Sequence, residues 1–371
     1  MRVLHVYKDF YPVLGGIENH LLLLARELSR LPDFEVEVLV TNTRPRTVVE
    51  HYNGLKVTKA ARLAAVTSTP LSLALWQEMG RRSYDIIHLH FPYPPGEVAA
   101  LWRGRARRMV ISYHSDVVKQ RLILRLYHPL LLRLLARADA ILAGSPNYIE
   151  SSPYLSRFKE KCTVVPYGVD VSFFQGQANR EVGARLEASY QPPFLLFVGK
   201  FRYYKGLFYL IEAMKDIGRG TLLLAGAGPE EAALRAQARR LGLEARVAFL
   251  GPIEGPDLPS YYHASQVFVL PSCQRAEAFG IVQLEAMACG LPVVSTQLGT
   301  GTSYVNQHGI TGLVVPPADP AALAGALNQL LGNEKLRQDL GRAARERVEA
   351  EFTKERMVER VAATYHRVMS L

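Results

Sequence analysis

Short runs of β-branched and other apolar residues alternate with amphipathic stretches along most of this chain, the pattern of repeated strand–helix units around parallel sheets. In the first half the runs are Val3–Tyr7, Val36–Thr41, Leu55–Lys59, Asp85–His90, Met109–Tyr113, Ala140–Ala143 and Thr163–Pro166. A second series starts at Phe194–Gly199 and continues through Thr221–Ala225, Arg246–Leu250, Val267–Leu270, Pro292–Ser295 and Gly312–Val315. Between the two series, Gly176–Pro193 lacks strong periodicity and ends in Pro192-Pro193, which predicts a linker. The C-terminal stretch reads as helix. Asp319 is placed to cap Pro320–Leu331, Glu334–Val348 is charged and periodic, and Thr353–Met369 has no following strand to cover. The pattern therefore predicts an α/β protein with two doubly wound parallel-sheet (Rossmann-like) domains. They would span residues 1–180 and about 190–352, with a ligand cleft between the carboxyl ends of the sheets.

A length of 371 residues suits two such domains. The three cysteines, Cys162, Cys273 and Cys289, lie far apart without paired spacing, as expected of reduced thiols in a cytosolic protein. Met1 leads directly into a strand-like run rather than a signal-peptide core, and no apolar run approaches the ~20 residues that cross a bilayer. Charge changes the picture more. Residues 1–180 hold 24 Lys+Arg against 15 Asp+Glu, a net of +9 of the chain's +10, so the first half expects an anionic partner. Nucleic acid, a membrane surface and a phosphorylated substrate all satisfy that.

The densest chemistry runs from Glu277 to Gly290, after the buried strand Val267–Leu270. Gly280 to Ala288 reads as a short helix closed by Gly290, so the N–H groups of Gly280, Ile281 and Val282 would be free to meet a diphosphate. Glu277 precedes the helix and Glu285 lies two turns in, where one carboxylate reaches beyond the phosphates and the other back to a ribose.

Glu277-Ala278-Phe279-Gly280-Ile281-Val282 followed by Glu285-Ala286-Met287-Ala288 and Gly290 resembles the donor-site motif of family-four retaining glycosyltransferases, which have the GT-B fold. The resemblance extends along nearly the whole chain. Phe197–Gly206 is similar to the family's phosphate-binding segment, with Lys205 matching its lysine and Lys200 standing where the family usually has arginine. Lysine keeps the charge but not the bidentate fork. Two cations at a helix start also oppose its dipole unless an anion sits there. Gly15-Gly16 allows close backbone approach, and the resemblance implies that it faces the donor phosphates. It further implies that His114 lies against the donor sugar, that Asp116 is placed for acceptor contacts, and that the final helix returns to the first domain. His90, at another strand end, is an acceptor-site candidate. Pro166–Asp170 resembles a structural hinge-side element.

Leu222–Ala232 satisfies G-x-G-x-x-A, but the next strand carries no ribose-binding acid at its tip, so Gly226 reads as a turn beside a nucleotide base rather than an NAD fingerprint. Thr300 and Thr302 follow a strand where hydroxyls would meet the donor. Gly301–Asn306 and Gly309–Pro316 resemble a subgroup that builds bacterial surface polysaccharides, often with mannose. There is no Asp-x-Asp and no metal-ligand spacing, so neither a metal nor a permanently bound cofactor is expected. The resemblance implies transfer of a hexosyl group with retention, from GDP-mannose or a UDP-sugar, onto a saccharide or lipid-linked saccharide.

A sugar-nucleotide epimerase or phosphorylase of the same fold would need acid/base residues around one sugar or a pyridoxal lysine in a longer chain. A nucleic-acid-binding protein would need basic residues interleaved with stacking aromatics. None of these is visible. From Lys119 to Arg137, arginines recur at helical spacing among leucines, interrupted by Pro129, with Arg103, Arg105, Arg107 and Arg108 nearby. This reads equally as a packed helix with a solvated edge or as a surface for an anionic membrane, giving a cytoplasmic protein that is peripheral on the membrane's inner face in the second case.

Overall fold

A computed structural model describes the chain except residues 14, 53, 67–68, 117–120, 177–178 and 254, and except the side chains of 66 and 121–126. It divides into two compact units, Met1–Gly168 with Lys354–Leu371, and Val169–Thr353.

The first unit is an eight-stranded sheet built outward from Arg2–Val6. On one side lie Glu35–Thr41, Leu55–Ala60 and the edge strand Val48–Tyr52; on the other lie Tyr84–Phe91, Ala106–Tyr113, Ala140–Ala143 and Cys162–Val164. All neighbours run parallel except Val48–Tyr52, which is antiparallel to Leu55–Ala60. Central strands such as Tyr84–Phe91 are buried on both faces and so read as nearly continuous apolar runs. The chain order reverses between Arg2–Val6 and Tyr84–Phe91, which makes the carboxyl ends of those strands the ligand edge of an open sheet.

The second unit is a six-stranded parallel sheet. Its strands Phe194–Val198, Thr221–Ala225, Val247–Gly251, Val267–Leu270, Val293–Thr296 and Gly312–Val315 take the spatial order 3-2-1-4-5-6. The switch point falls between Phe194–Val198 and Val267–Leu270, so the loops 199–206 and 271–281 leave the sheet side by side. Asp319 caps the helix Pro320–Gly332 by accepting from the Ala322 N–H at 2.9 Å.

Three expectations change. The division falls at Gly168/Val169 rather than near 180–190. The helix Val171–Gln175, capped by Asp170, precedes the expected linker 176–193, which itself carries Arg180–Ser189, capped by Asn179; both helices belong to the second unit. Apolar pattern is weak there because these helices bury only Phe174, Val182 and Leu186. The donor-motif helix starts at Val282, because Gly280 adopts φ 75° and cannot be a helical residue. The edge strand Val48–Tyr52 was not legible either, since its middle residues are exposed and polar. The final helix, Lys354–Ser370, packs within the first unit against Gly16–Leu28.

Candidate functional site

In the second unit the switch-point loops bring the motif residues together. Lys205 ends a short 3-10 turn after the first strand and is buried. Its ammonium bonds Glu277 Oε2, which also accepts from Ser272 Oγ at 2.9 Å. Burial alone would lower the Lys205 pKa, but the Glu277 carboxylate and then Tyr204 outweigh it and raise it, so the amine stays charged. Thr300 Oγ1 donates to the Glu277 carbonyl at 2.8 Å and fixes the backbone of that residue. Glu285 projects from the helix Val282–Ala288 and accepts from the Tyr262 hydroxyl at 2.6 Å. Burial raises its pKa, with Tyr262 partly offsetting the shift. Among the described residues, no acceptor meets the N–H groups of Gly280, Ile281 and Val282. They stand where an anion gains three donors. Phe279 is buried beneath them, and Lys200 is exposed on the loop.

Glycines let these loops close up. A Cβ on Gly226 would lie 1.9 Å from the Gly199 carbonyl oxygen, and one on Gly206 would lie 2.0 Å from that of Pro271. The packing of adjacent loop tips thus requires glycine at position 226, a turn as the sequence expects. The expectation for Thr300 and Thr302 changes. Both are buried, and their hydroxyls serve the Glu277 and Thr296 carbonyls rather than standing free for a donor. Ser272 and Tyr262 went unseen in the sequence. Tyr262 lies 23 residues before Glu285 with no local signal.

In the first unit, Gly15 precedes the helix Gly16–Leu28, whose first turn carries the buried Glu18. Leu14, within the same loop, lies outside the described residues. Asp116 Oδ1 accepts from Tyr113 Oη (2.9 Å) and Ser152 Oγ (2.7 Å), while its N–H meets Tyr148 Oη at 2.6 Å. It therefore ties the strand end to the helix Pro146–Ser151 and its C-cap Ser152. His90 is 1% exposed, with both ring nitrogens engaged by His5 and His114, which removes it as a direct acceptor contact. Alternation explains this: His88, His90, Ser112 and His114 all project to one face, covered by the helices carrying His20 and Tyr365. His114 is itself buried, meeting Tyr167 Oη through Nδ1 and His90 through Nε2. Burial holds all five histidines neutral at pH 7, His5 and His20 at about 3 and the others well below their ordinary value.

The trios His5/His88/His90 and His20/His90/His114 each place their nitrogens within 4.8 Å of one another, a grouping with metal-ligand potential. The sequence hid it because the members come from three strands and a helix. Within the basic stretch 119–137, residues 119–126 lie outside the described side chains. Leu131, Leu134 and Leu135 are buried, while Arg133 and Arg137 are exposed. Among the described residues no helix is long and apolar enough to cross a membrane.

Two doubly wound sheets, with a buried lysine–glutamate pair and a second glutamate at the switch point of one, define a GT-B glycosyltransferase. Residues 179–347 match the family described as "Glycosyl transferases group 1", and residues 14–173 match "Glycosyltransferase Family 4". The chain is 37% identical to the O-antigen chain mannosyltransferase C of Escherichia coli over 98% of both chains. It is 38% identical to the D-rhamnosyltransferase WbpZ of Pseudomonas aeruginosa over 95% of this chain and 92% of the other. Among solved structures, sucrose-phosphate synthase from Thermosynechococcus elongatus matches with a TM-score of 0.84 at 24% identity, covering 100% of this chain and 99% of that one. Anabaena HepE in complex with UDP and glucose matches with a TM-score of 0.80 at 21% identity over the whole of both chains. The chain belongs to glycosyltransferase family 4 and has the GT-B fold.

Proposed function

We propose that this protein transfers a mannosyl group from GDP-mannose onto a saccharide, free or lipid-linked, in bacterial surface-polysaccharide synthesis, with retention of configuration. The observation that carries the reading is the buried Lys205–Glu277 pair. An ammonium held this far from water, beside three N–H groups without acceptors, matches a leaving diphosphate. Lys205 neutralises the phosphates, with the exposed Lys200 as a second cation and Gly15-Gly16 as backbone donors. Glu285, steadied by Tyr262, takes the ribose hydroxyls. Lys205 and Ser272 both engage Oε2 of Glu277, leaving Oε1 for the sugar hydroxyls.

We assign no carboxylate among the described residues as a nucleophile. The acceptor oxygen therefore bonds to the anomeric carbon on the face from which the diphosphate leaves, and the phosphate oxygen takes the acceptor proton. Charge on that phosphate is matched by Lys205 without a metal. His114 serves the sugar and Asp116 the acceptor side. The likeness to an O-antigen mannosyltransferase supports mannose, and to a D-rhamnosyltransferase of equal identity supports a second reading, in which the donor sugar is the 6-deoxy analogue. A third, a UDP-sugar donor, is favoured by the HepE complex. A thermal-shift panel of GDP-mannose, GDP-D-rhamnose, UDP-glucose and UDP-N-acetylglucosamine tests all three. The proposal expects stabilisation by the guanosine donors; a shift with uridine donors alone would overturn it.

A further inference from the structure

Behind His114, the first unit holds further buried imidazoles that the donor chemistry leaves unused. His5 Nδ1 lies 3.0 Å from His90 Nε2, and His90 Nδ1 lies 2.9 Å from His114 Nε2. Tyr167 Oη closes one end, 2.5 Å from His114 Nδ1. At the other end Tyr365 Oη lies 3.4 Å from His5 Nε2 and 2.6 Å from His88 Nδ1, and His88 Nε2 reaches Ser112 Oγ at 2.8 Å.

A neutral imidazole carries one N–H and one lone pair, on different nitrogens, and each nitrogen–nitrogen hydrogen bond needs one of each. The tautomer therefore propagates. His5, His90 and His114 carry their protons all on Nε2 or all on Nδ1. His90 alone in the opposite form would set N–H against N–H at one junction and lone pair against lone pair at the other, and His5 or His114 alone would leave one such fault. In a site this dry, each fault leaves desolvated polar atoms unmatched. The ends of the chain are placed tellingly. Tyr167 immediately precedes Gly168, where the polypeptide leaves the first unit, and Tyr365 lies in the helix with which it returns.

We propose that Tyr167, His90 and His5 are positioning residues that set the tautomer of His114 collectively. To reach a sugar hydroxyl, His114 must release the Tyr167 bond, and the shared tautomer then decides whether its exposed Nδ1 offers a lone pair or an N–H. This rests on the reading that His114 serves the donor sugar. His20 packs edge-on against His90, His114 and Tyr167, and its Nδ1 is buried without a partner. It borders a small cavity with His114, Ser112 and Tyr167, about large enough for a single water.

The test is long-range ¹H–¹⁵N correlation of the imidazoles in the ¹⁵N-labelled full chain at pH 7.5, for the wild type and for Tyr167→Phe, Tyr365→Phe and His90→Leu. The expected result is one shared tautomer for His5, His90 and His114. Tyr167→Phe should then change the nitrogen shifts of His5, two rings beyond His114 along the chain, and Tyr365→Phe those of His114. His90→Leu should sever that communication and lower kcat about tenfold with little change in the donor KM. If Tyr167→Phe does not fold, Tyr365→Phe makes the same test from the other end. Mixed tautomers, a response confined to the ring next to the substitution, or a stoichiometric transition metal in the purified protein would each overturn the proposal. Because the tautomers are read without substrate, intact communication with unchanged kcat in His90→Leu would instead sink the role of His114.

Discussion

Acidification from pH 6.5 to 5.5 should loosen the first unit while sparing the second. His5, His20, His88, His90 and His114 are held neutral, first by burial and, for all but His20, further by neighbouring histidines. Unfolded, each titrates near its ordinary value of about 6.5. Their folded pKa values are depressed, so below pH 6.5 the unfolded chain binds protons that the folded chain refuses. The stability they contribute is complete above that pH and is lost as pH falls toward the folded values. Each histidine loses about 1 kcal/mol over this unit of pH, so the five lose about 5 kcal/mol. Glu97 acts in the opposite sense. Burial raises its carboxyl to about 8, and its protonated folded form returns about 1 kcal/mol as pH falls. The net loss is about 4 kcal/mol, a large share of a domain's usual 5–15 kcal/mol. Burial also raises Glu285, the corresponding group of the second unit, so that unit should hold or gain. Hydrogen exchange, corrected for intrinsic rates, reads both at once. Peptides from Tyr84–Phe91 and Ala106–Tyr113 should lose protection by about a thousandfold, and those from Thr221–Ala225 and Val267–Leu270 should not. Equal protection at the two pH values in the first unit would refute the neutral-histidine argument.

Lys205→Ala should lower transfer by roughly 10²-fold or more, while unit-two exchange protection outside the 199–206 and 271–281 loops stays near wild type; near-normal turnover would remove the lysine from the diphosphate site. Glu285→Ala should weaken GDP binding by calorimetry about tenfold or more, equivalent to roughly 1.4 kcal/mol, and an unchanged affinity would rule out a ribose contact. Gly226→Ala forces a Cβ onto the Gly199 carbonyl at a backbone φ of 145°, and should cost the second unit more than about 2 kcal/mol in a urea titration. Thr300→Val removes the bond that fixes the Glu277 backbone. It should cost about 1 kcal/mol and reduce kcat more than GDP affinity; the reverse split would place Thr300 at the nucleotide.

The strands of both sheets were legible because they are buried on both faces, so their apolar runs are continuous and bounded. Val48–Tyr52 escaped because an exposed edge strand has no such run. Helix ends written in side-chain chemistry, such as Asp319, were legible; the helices at 171–189 were masked by a thin apolar face. The proposed donor loops were readable from the local spacing of Glu277, Gly280 and Glu285. The residues that complete the site were not, since Ser272 and Tyr262 act through distances that only the sheet order creates. His90 shows the opposite error. A strand-end histidine suggests an exposed ligand, yet alternation turns it inward, and no local pattern says that three strands and two helices supply partners there.

Retaining transfer from a guanosine diphosphate sugar is tested most directly by the product itself. Incubation with GDP-mannose and a saccharide acceptor, followed by NMR of the new anomeric centre, should show an α-mannoside with one GDP released per linkage. A β-linked product, or no transfer from GDP-mannose alongside turnover of a UDP-sugar, would contradict it.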